Sequence, residues 1–386
     1  MSMPSDRRAG HGLTFRRSLE TRDAGLGLRR ASAVVPFFFL LPVVTGCLHP
    51  EPEPLSPAET EAFRKAAVKA LEEAAFGDSP TLRMAAIEAF KEVAPKQAMD
   101  LLVIPLNIDN LYPGASFAAL MAAGELRERS LIEKIRTRAE SADPNVRMAA
   151  IFALHRLGDR SRTGELADLL RHPNARVRAN AALVLGRLNE KRHARLLRSA
   201  LRQEQKTVPK MQILESLAAL GDRKAIERLI FDGYSEYPDQ ATLALMMLAN
   251  AKAQEAEDVF LTRLEKECEF PEVPLQAARG LALLGSNQGM SLALKQLFFD
   301  SPRHVSAEDP ADRQIDRVRG LAALALEVMA EPKALAFLKR AFYARGQSAY
   351  VRIAIARAAI RTIDRARQWR AAETAAAGPT SMPSPP

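Results

Sequence analysis

Asp143-Pro144-Asn145-Val146-Arg147-Met148-Ala149-Ala150-Ile151-Phe152-Ala153-Leu154-His155-Arg156-Leu157-Gly158-Asp159 is the stretch whose reading decides the fold. It opens with a helix-capping Asp and a Pro at the first helical position, and it closes on a glycine stop. Between them Val146, Ala150, Ile151, Leu154 and Leu157 recur at three and four residues, the helical period. From His172 the phrase returns as HPNARVRANAALVLGRLN, moving Val-Arg from 146–147 to 177–178. The closing Leu-Gly recurs at 157–158, 220–221 and 284–285, and Val-Arg again at 318–319 and 351–352. Upstream, Leu82-Arg83 stands two repeats before Arg147, and weaker copies fill 115–124 and 241–249. About nine copies therefore run between Asp78 and Asp364. A second helical segment follows each copy, as in Arg162–Leu170 and His193–Leu201. One helix pair cannot bury its apolar face alone, so the pairs must stack. At ~9 Å per helix, nine pairs predict a curved rod roughly 80–90 Å long.

The phrase D-P-x-V-R-x-x-A-A-x-A-L-x-x-L-G-D resembles the HEAT-like repeat of the bilin-lyase type, with copies over most of residues 57–364. The fold this implies is all-α, a right-handed α-solenoid of about nine HEAT-like helix pairs. In that family one basic residue per repeat bonds to neighbouring inter-repeat turns. The resemblance gives this structural role to Arg83, Arg147, Arg178, Arg319 and Arg352, with Lys210 in the same register.

Composition agrees with helices. The chain has 386 residues, 47% of them apolar, only 6% aromatic, and two cysteines. Two cysteines exclude a disulfide framework or a cysteine-based metal cluster. His49, His155, His172, His193 and His304 show no metal-ligand spacing, and no H-E-x-x-H occurs. HEAT-repeat di-iron hydroxylases depend on His-Glu dyads, and no histidine here is followed by Glu. A phosphate loop, a calcium loop and a G-x-S-x-G elbow are also missing. The sequence therefore predicts a chain without catalytic residues, metal or cofactor. Cys268 reads as a buried structural thiol.

The first fifty residues read as an address. Seven arginines precede residue 31, followed by the uncharged run ASAVVPFFFLLPVV from Ala31 to Val44. At 1.5 Å per residue that run spans about 21 Å, short of the ~30 Å bilayer core, as in a secretory signal peptide. Val44-Thr45-Gly46-Cys47 resembles the bacterial lipobox, which implies lipidation of Cys47 and export to the cell envelope. Leu48, in place of Asp, then points to the outer membrane, facing the periplasm. LHPEPEPLSP follows as an extended tether. The expected organisation is a signal peptide at 1–46, a tether at 47–57, the solenoid at 58–366 and a disordered tail at 367–386.

Charge is segregated along the chain. Residues 156–210 hold 14 basic and 5 acidic residues, and residues 339–370 hold 9 and 1. Such zones attract acidic partners. Export argues against nucleic acid, leaving a protein partner or an anionic lipid or glycan. The expectation is an envelope scaffold binding a partner protein through a solenoid surface, with Arg187, Arg192, Arg195 and Arg198 facing an acidic partner. A lyase or isomerase acting on a bilin or tetrapyrrole is the alternative that the resemblance implies. One irregularity remains: the polar stretch Asp300–Arg313 (DSPRHVSAEDPADR) lengthens one repeat, as binding insertions in solenoids do.

Overall fold

The computed structural model describes residues 52–107, 113–266 and 270–376, and among them all regular structure is helical. The lipobox, Cys47 and Cys268 lie outside the described residues. From Pro52 onward the chain forms a compact unit. It is an α-solenoid whose helices alternate between two layers. The inner layer is α2 (Pro80–Val93), α4 (Pro113–Leu126), α6 (Pro144–Leu157), α8 (Ala175–Arg187), α10 (Thr207–Ala219), α12 (Pro238–Ala251), α14 (Glu272–Leu283), α16 (Ala311–Met329) and α18 (Ala349–Ala376). The outer layer is α1 (Pro57–Phe76), α3 (Pro95–Asn107), α5 (Ile132–Ala139), α7 (Glu165–Leu169), α9 (His193–Gln203), α11 (Arg223–Gly233), α13 (Glu257–Glu265), α15 (Met290–Gln296) and α17 (Leu335–Phe342).

The repeat is set by its turns. Asp143 caps α6 by accepting from Asn145 N at 2.7 Å and Val146 N at 3.3 Å, and Asn174 caps α8 from Arg176 N at 2.9 Å. At the other end, Gly158 takes φ +107°, and Asp159 N bonds back to Leu154 O at 2.9 Å. The same left-handed residue recurs at Arg127, Asn189, Gly221, Lys252, Gly285 and Ala330. Spacings of 31 to 33 residues separate them as far as Gly285, so the turn outlasts the glycine that marks it in sequence.

Each inner helix packs on the next, and the series does not end at α18. That helix packs on α1 and on α2, closing the solenoid into a ring. Phe63 of α1 is 1% exposed and meets Phe342 edge-on at 5.5 Å. Arg64 donates to both oxygens of Asp364, at 2.9 and 3.1 Å. Lys339 reaches Glu59 at 2.9 Å, and Arg367 pairs with Glu61. One apolar core runs from Phe63, Leu71 and Phe90 straight into Leu326, Val351 and Ile360.

Closure corrects the open rod. Nine pairs turning about 40° each complete a circle, and the two apolar ends that a rod would expose bury each other. Charged side chains line the place where the inner helices converge. Lys91 pairs with Glu125 at 2.6 Å, Asn250 bridges Glu215 and Arg279, and Arg361 joins Glu327 at 3.0 Å and Glu92 at 3.8 Å. α18 continues to Ala376, ten residues past the expected solenoid end, because Ala371, Ala372 and Ala375 favour helix.

The inner helices run parallel, so the ring has two distinct faces. All inner-to-outer turns lie on one and all outer-to-inner turns on the other. α1 starts beside the last turns of α18, and Arg365 of α18 donates to Met329 O at the end of α16. The chain therefore enters the ring on the face where inner helices end, here called the tether face.

Candidate functional site

The break in the repeat becomes a wall. Between α15 and α16 the loop 297–310 rises, and α16 gains length, reaching 19 residues against 12 to 14 for α12 and α14. The wall bounds a groove of about 1020 Å³ on the face opposite the tether face. The groove crosses the start of α14 at Pro271 and Glu272. Its far side is a stripe of α12 at helical spacing, Asp239, Thr242, Leu243 and Met246. Its near side is Phe298, Phe299, the loop, and Arg317 and Val318 of α16.

Ion pairs hold the wall upright. Arg317 grips Asp309 of the loop through two bonds of 2.8 and 3.0 Å and reaches Glu272 of α14 at 2.7 Å. These bonds raise the Arg317 pKa and draw the Asp309 carboxyl below its usual range. Gln314 ties the loop twice, accepting from Arg303 N and donating to Asp309 O, each at 3.1 Å. Phe270 and His304 stack across the opening at 5.6 Å and 19°. The result is a preformed trough of mixed lining, in which Leu243, Met246, Phe298 and Phe299 stand among charged side chains such as Asp239, Lys295 and Asp300, with Tyr237 and Val305 exposed. A trough of this kind suits an extended or helical segment with apolar anchors and mixed charge.

Three of the five repeat arginines share one geometry. Arg83 donates to Gly77 O, Arg147 to Ser141 O and Arg178 to His172 O at 2.8, 2.8 and 2.9 Å, each six residues back. Arg178 also holds Glu204 of the next turn through bonds of 2.7 and 2.9 Å, which brings that carboxyl down to about 2. Arg319 reaches Phe299 O and Gln347 at 2.8 Å each, and Arg352 lies over the Phe342 ring at 5.8 Å.

The four arginines expected to meet an acidic partner are not one free patch. Arg187 ends inner helix α8 and stands 3.6 Å from Glu125. Arg192 bonds Glu190 at 2.7 Å, and Arg198 pairs with the buried N-cap carboxylate Asp222. Only Arg195 of the four is exposed without an ion pair among the described residues.

Sequence spacing missed one cluster. His155 and His193, 6% and 4% exposed, share Glu190 at 3.2 and 3.5 Å, and His155 Nδ1 meets Thr163 Oγ1 at 2.8 Å. Burial pushes both imidazoles below their ordinary pKa despite the glutamate, while Arg192 lowers Glu190. Consecutive repeat turns bring these residues together across a separation of 35 residues between His155 and Glu190, which no local motif marks. Among the described residues no three His, Cys, Asp or Glu side chains are placed to hold a metal.

Residues 163–230 match the family of HEAT repeats. The chain is a HEAT-like repeat protein. No curated protein matches the HEAT-like chain by sequence. It is similar to a solved chain from the complex of CpcE and CpcF of phycocyanin lyase from Nostoc sp. PCC7120, at 17% identity over 59% of this chain and 91% of that one, with a TM-score of 0.39. It is also similar to human deoxyhypusine hydroxylase in complex with glycerol, at 16% identity over 72% and 99%, with a TM-score of 0.34. These similar structures are of a phycocyanin lyase complex and a hydroxylase, and on that finding the expectation of a non-enzyme is withdrawn.

Proposed function

We propose that this protein is a lipid-anchored scaffold of the bacterial cell envelope whose HEAT-repeat ring holds a partner protein in the groove beside the 300–313 insertion. The observation that carries the reading is the placement of the insertion: the one marked break in periodicity builds the wall of the groove and is pinned there by Arg317. Repeats that only had to close the ring would not need it. The anchor rests on the lipobox at Val44–Cys47, directly behind the apolar run, and on the proline-rich tether that follows. Lipidation at Cys47 would keep the ring within a short extended tether's reach of the membrane, roughly 30 Å at ~3.1 Å per residue.

The test is site-specific photo-cross-linking in cells of the full chain, with the probe at Lys295 on the groove rim or at Lys65 on exposed α1. One envelope protein captured stoichiometrically from Lys295 and not from Lys65 is the expected result. Capture of lipid alone, or of nothing reproducible, from Lys295 would sink the scaffold reading. The anchor is tested separately: palmitate label should enter the wild-type chain and disappear in Cys47→Ala.

A further inference from the structure

The two faces of the ring differ in charge, and the difference follows the direction of the chain. On the tether face, the five consecutive turns 127–129, 158–164, 188–195, 220–224 and 252–256 hold ten basic and five acidic residues. On the groove face, the turns 140–143, 170–174, 204–206 and 234–237 hold two basic and four acidic residues.

The acids of the tether face are mostly spent locally. Glu128 caps Ser130 N, Asp159 bonds Ser161, Glu190 bonds Arg192, and Asp222 caps Ala225 N. Its outermost cations are not. Arg127, Arg129, Lys191, Arg195, Lys224 and Lys252 are exposed, and none has an ion-pair partner among the described residues. They sit on turn tips spread over an arc from α4 to α12, a broad sparse array and not a pocket. Across the ring, α18 runs past the end of α16 on the same face and carries the protein's single tryptophan, Trp369, 64% exposed. Scattered unpaired cations with an interfacial tryptophan match a flat, laterally mobile anionic surface better than a shaped ligand.

We infer that the tether face docks on an anionic phospholipid bilayer, through Lys191, Arg195, Lys224 and the neighbouring turn cations together with Trp369, so that the groove opens away from the membrane. The inference rests on the anchored reading, because the chain enters the ring on this face, but its chemistry belongs to the ring itself. Each basic residue held near such a surface adds about 1 kcal/mol, too weak singly and sufficient in an array already concentrated by a lipid anchor.

Because Pro52–Pro386 is a compact unit, the unlipidated chain from Leu48 onward tests the face without the anchor. The measurement is co-sedimentation with phosphatidylcholine vesicles and with vesicles that also contain phosphatidylglycerol, with Trp369 emission followed in parallel. The expected result is binding to the anionic vesicles alone, lost at about 0.5 M salt, with a blue shift of the tryptophan. Lys191→Glu with Arg195→Glu and Lys224→Glu should weaken binding at least about tenfold. Arg171→Glu with Arg176→Glu and Lys206→Glu removes the same charge from the groove-face side and should change it less than about threefold. Equal effects of the two triples, binding to neutral vesicles, no binding at all, or binding without a tryptophan shift would each overturn the inference. Failure of palmitate to label the wild-type chain, with vesicle binding retained, would remove the anchor and leave the face standing.

Discussion

If the ends of the solenoid are joined, a residue at the start of the chain must feel a residue at its end, and Phe63 is where to look. Its ring is buried against Phe342 and Tyr343, with centroids 5.5 and 6.4 Å away. Phe63→Ala should cost about 3–5 kcal/mol, as large-to-small changes at filled aromatic positions do. An open rod has no such term, because its first helix would pack on α2 alone. The sharper quantity is the coupling in a cycle of Phe63→Ala, Phe342→Ala and the double variant. An edge-on aromatic pair predicts about 0.5–1.5 kcal/mol. The assay is urea unfolding followed by circular dichroism, with small-angle scattering as an independent check on shape. A compact body of this length has a radius of gyration near 20 Å, whereas a rod of ~85 Å gives about 25 Å from its length alone. A Phe63→Ala cost below about 1 kcal/mol with no coupling, or scattering that fits the rod, would refute closure.

Further predictions follow from single sites. Arg178→Ala leaves the Glu204 carboxylate, 5% exposed on its side chain, without its cation and should cost about 2–4 kcal/mol, whereas Arg83→Ala loses one carbonyl bond and about 1 kcal/mol; thermal unfolding separates them. His155 and His193 have depressed pKa values in the fold, so the unfolded chain binds more protons, and stability should fall as pH drops below about 6.5. His155→Gln with His193→Gln should flatten that slope in unfolding curves taken between neutral pH and pH 5. Lys252, exposed at φ +52°, should gain roughly 0.5–1 kcal/mol as Lys252→Gly. Gly124→Ala would put a Cβ 2.7 Å from Ala153 Cα where α4 meets α6, costing about 1–3 kcal/mol in the same assay.

The repeat was legible because each copy writes its own boundaries: Asp-Pro or His-Pro-Asn at the start, Leu-Gly at the end, and apolar residues at three and four between. Where a copy lost its glycine the reading weakened, although Arg127 and Lys252 hold the same left-handed turn, because packing on both sides fixes it. Closure left no mark of that kind. Arg64 and Asp364 are ordinary surface letters until nine small rotations bring them together. The groove was half legible, since the length of the Asp300–Arg313 insertion was visible but its anchorage on Glu272 through Arg317 was not. Arg187, Arg192, Arg195 and Arg198 were legible as charges but their surroundings were not. Charge counted along a segment ignores partners, and Glu190 and Asp222 take up two of the four expected cations.

Closure also changes what the terminal repeats must do. A linear solenoid carries polar capping repeats because its end faces would otherwise expose apolar surface. Here α1 and α18 serve as each other's cap, so Phe63, Ala67 and Leu71 can be as apolar as any central residue. The seam still differs from the other junctions. It carries Arg64–Asp364, Glu59–Lys339, Glu61–Arg367 and Glu92–Arg361, four ion pairs across one boundary, of which the first is half-buried and bidentate. Elsewhere the chain itself delivers each repeat to its neighbour, but at the seam it supplies no such guidance. Directional charge pairs then select the register in which the ends meet, while the apolar core beneath supplies the cohesion. A ring sealed this way holds its two faces at fixed separation, and that rigidity lets one face bear cations on five consecutive turns while the other carries a pinned groove.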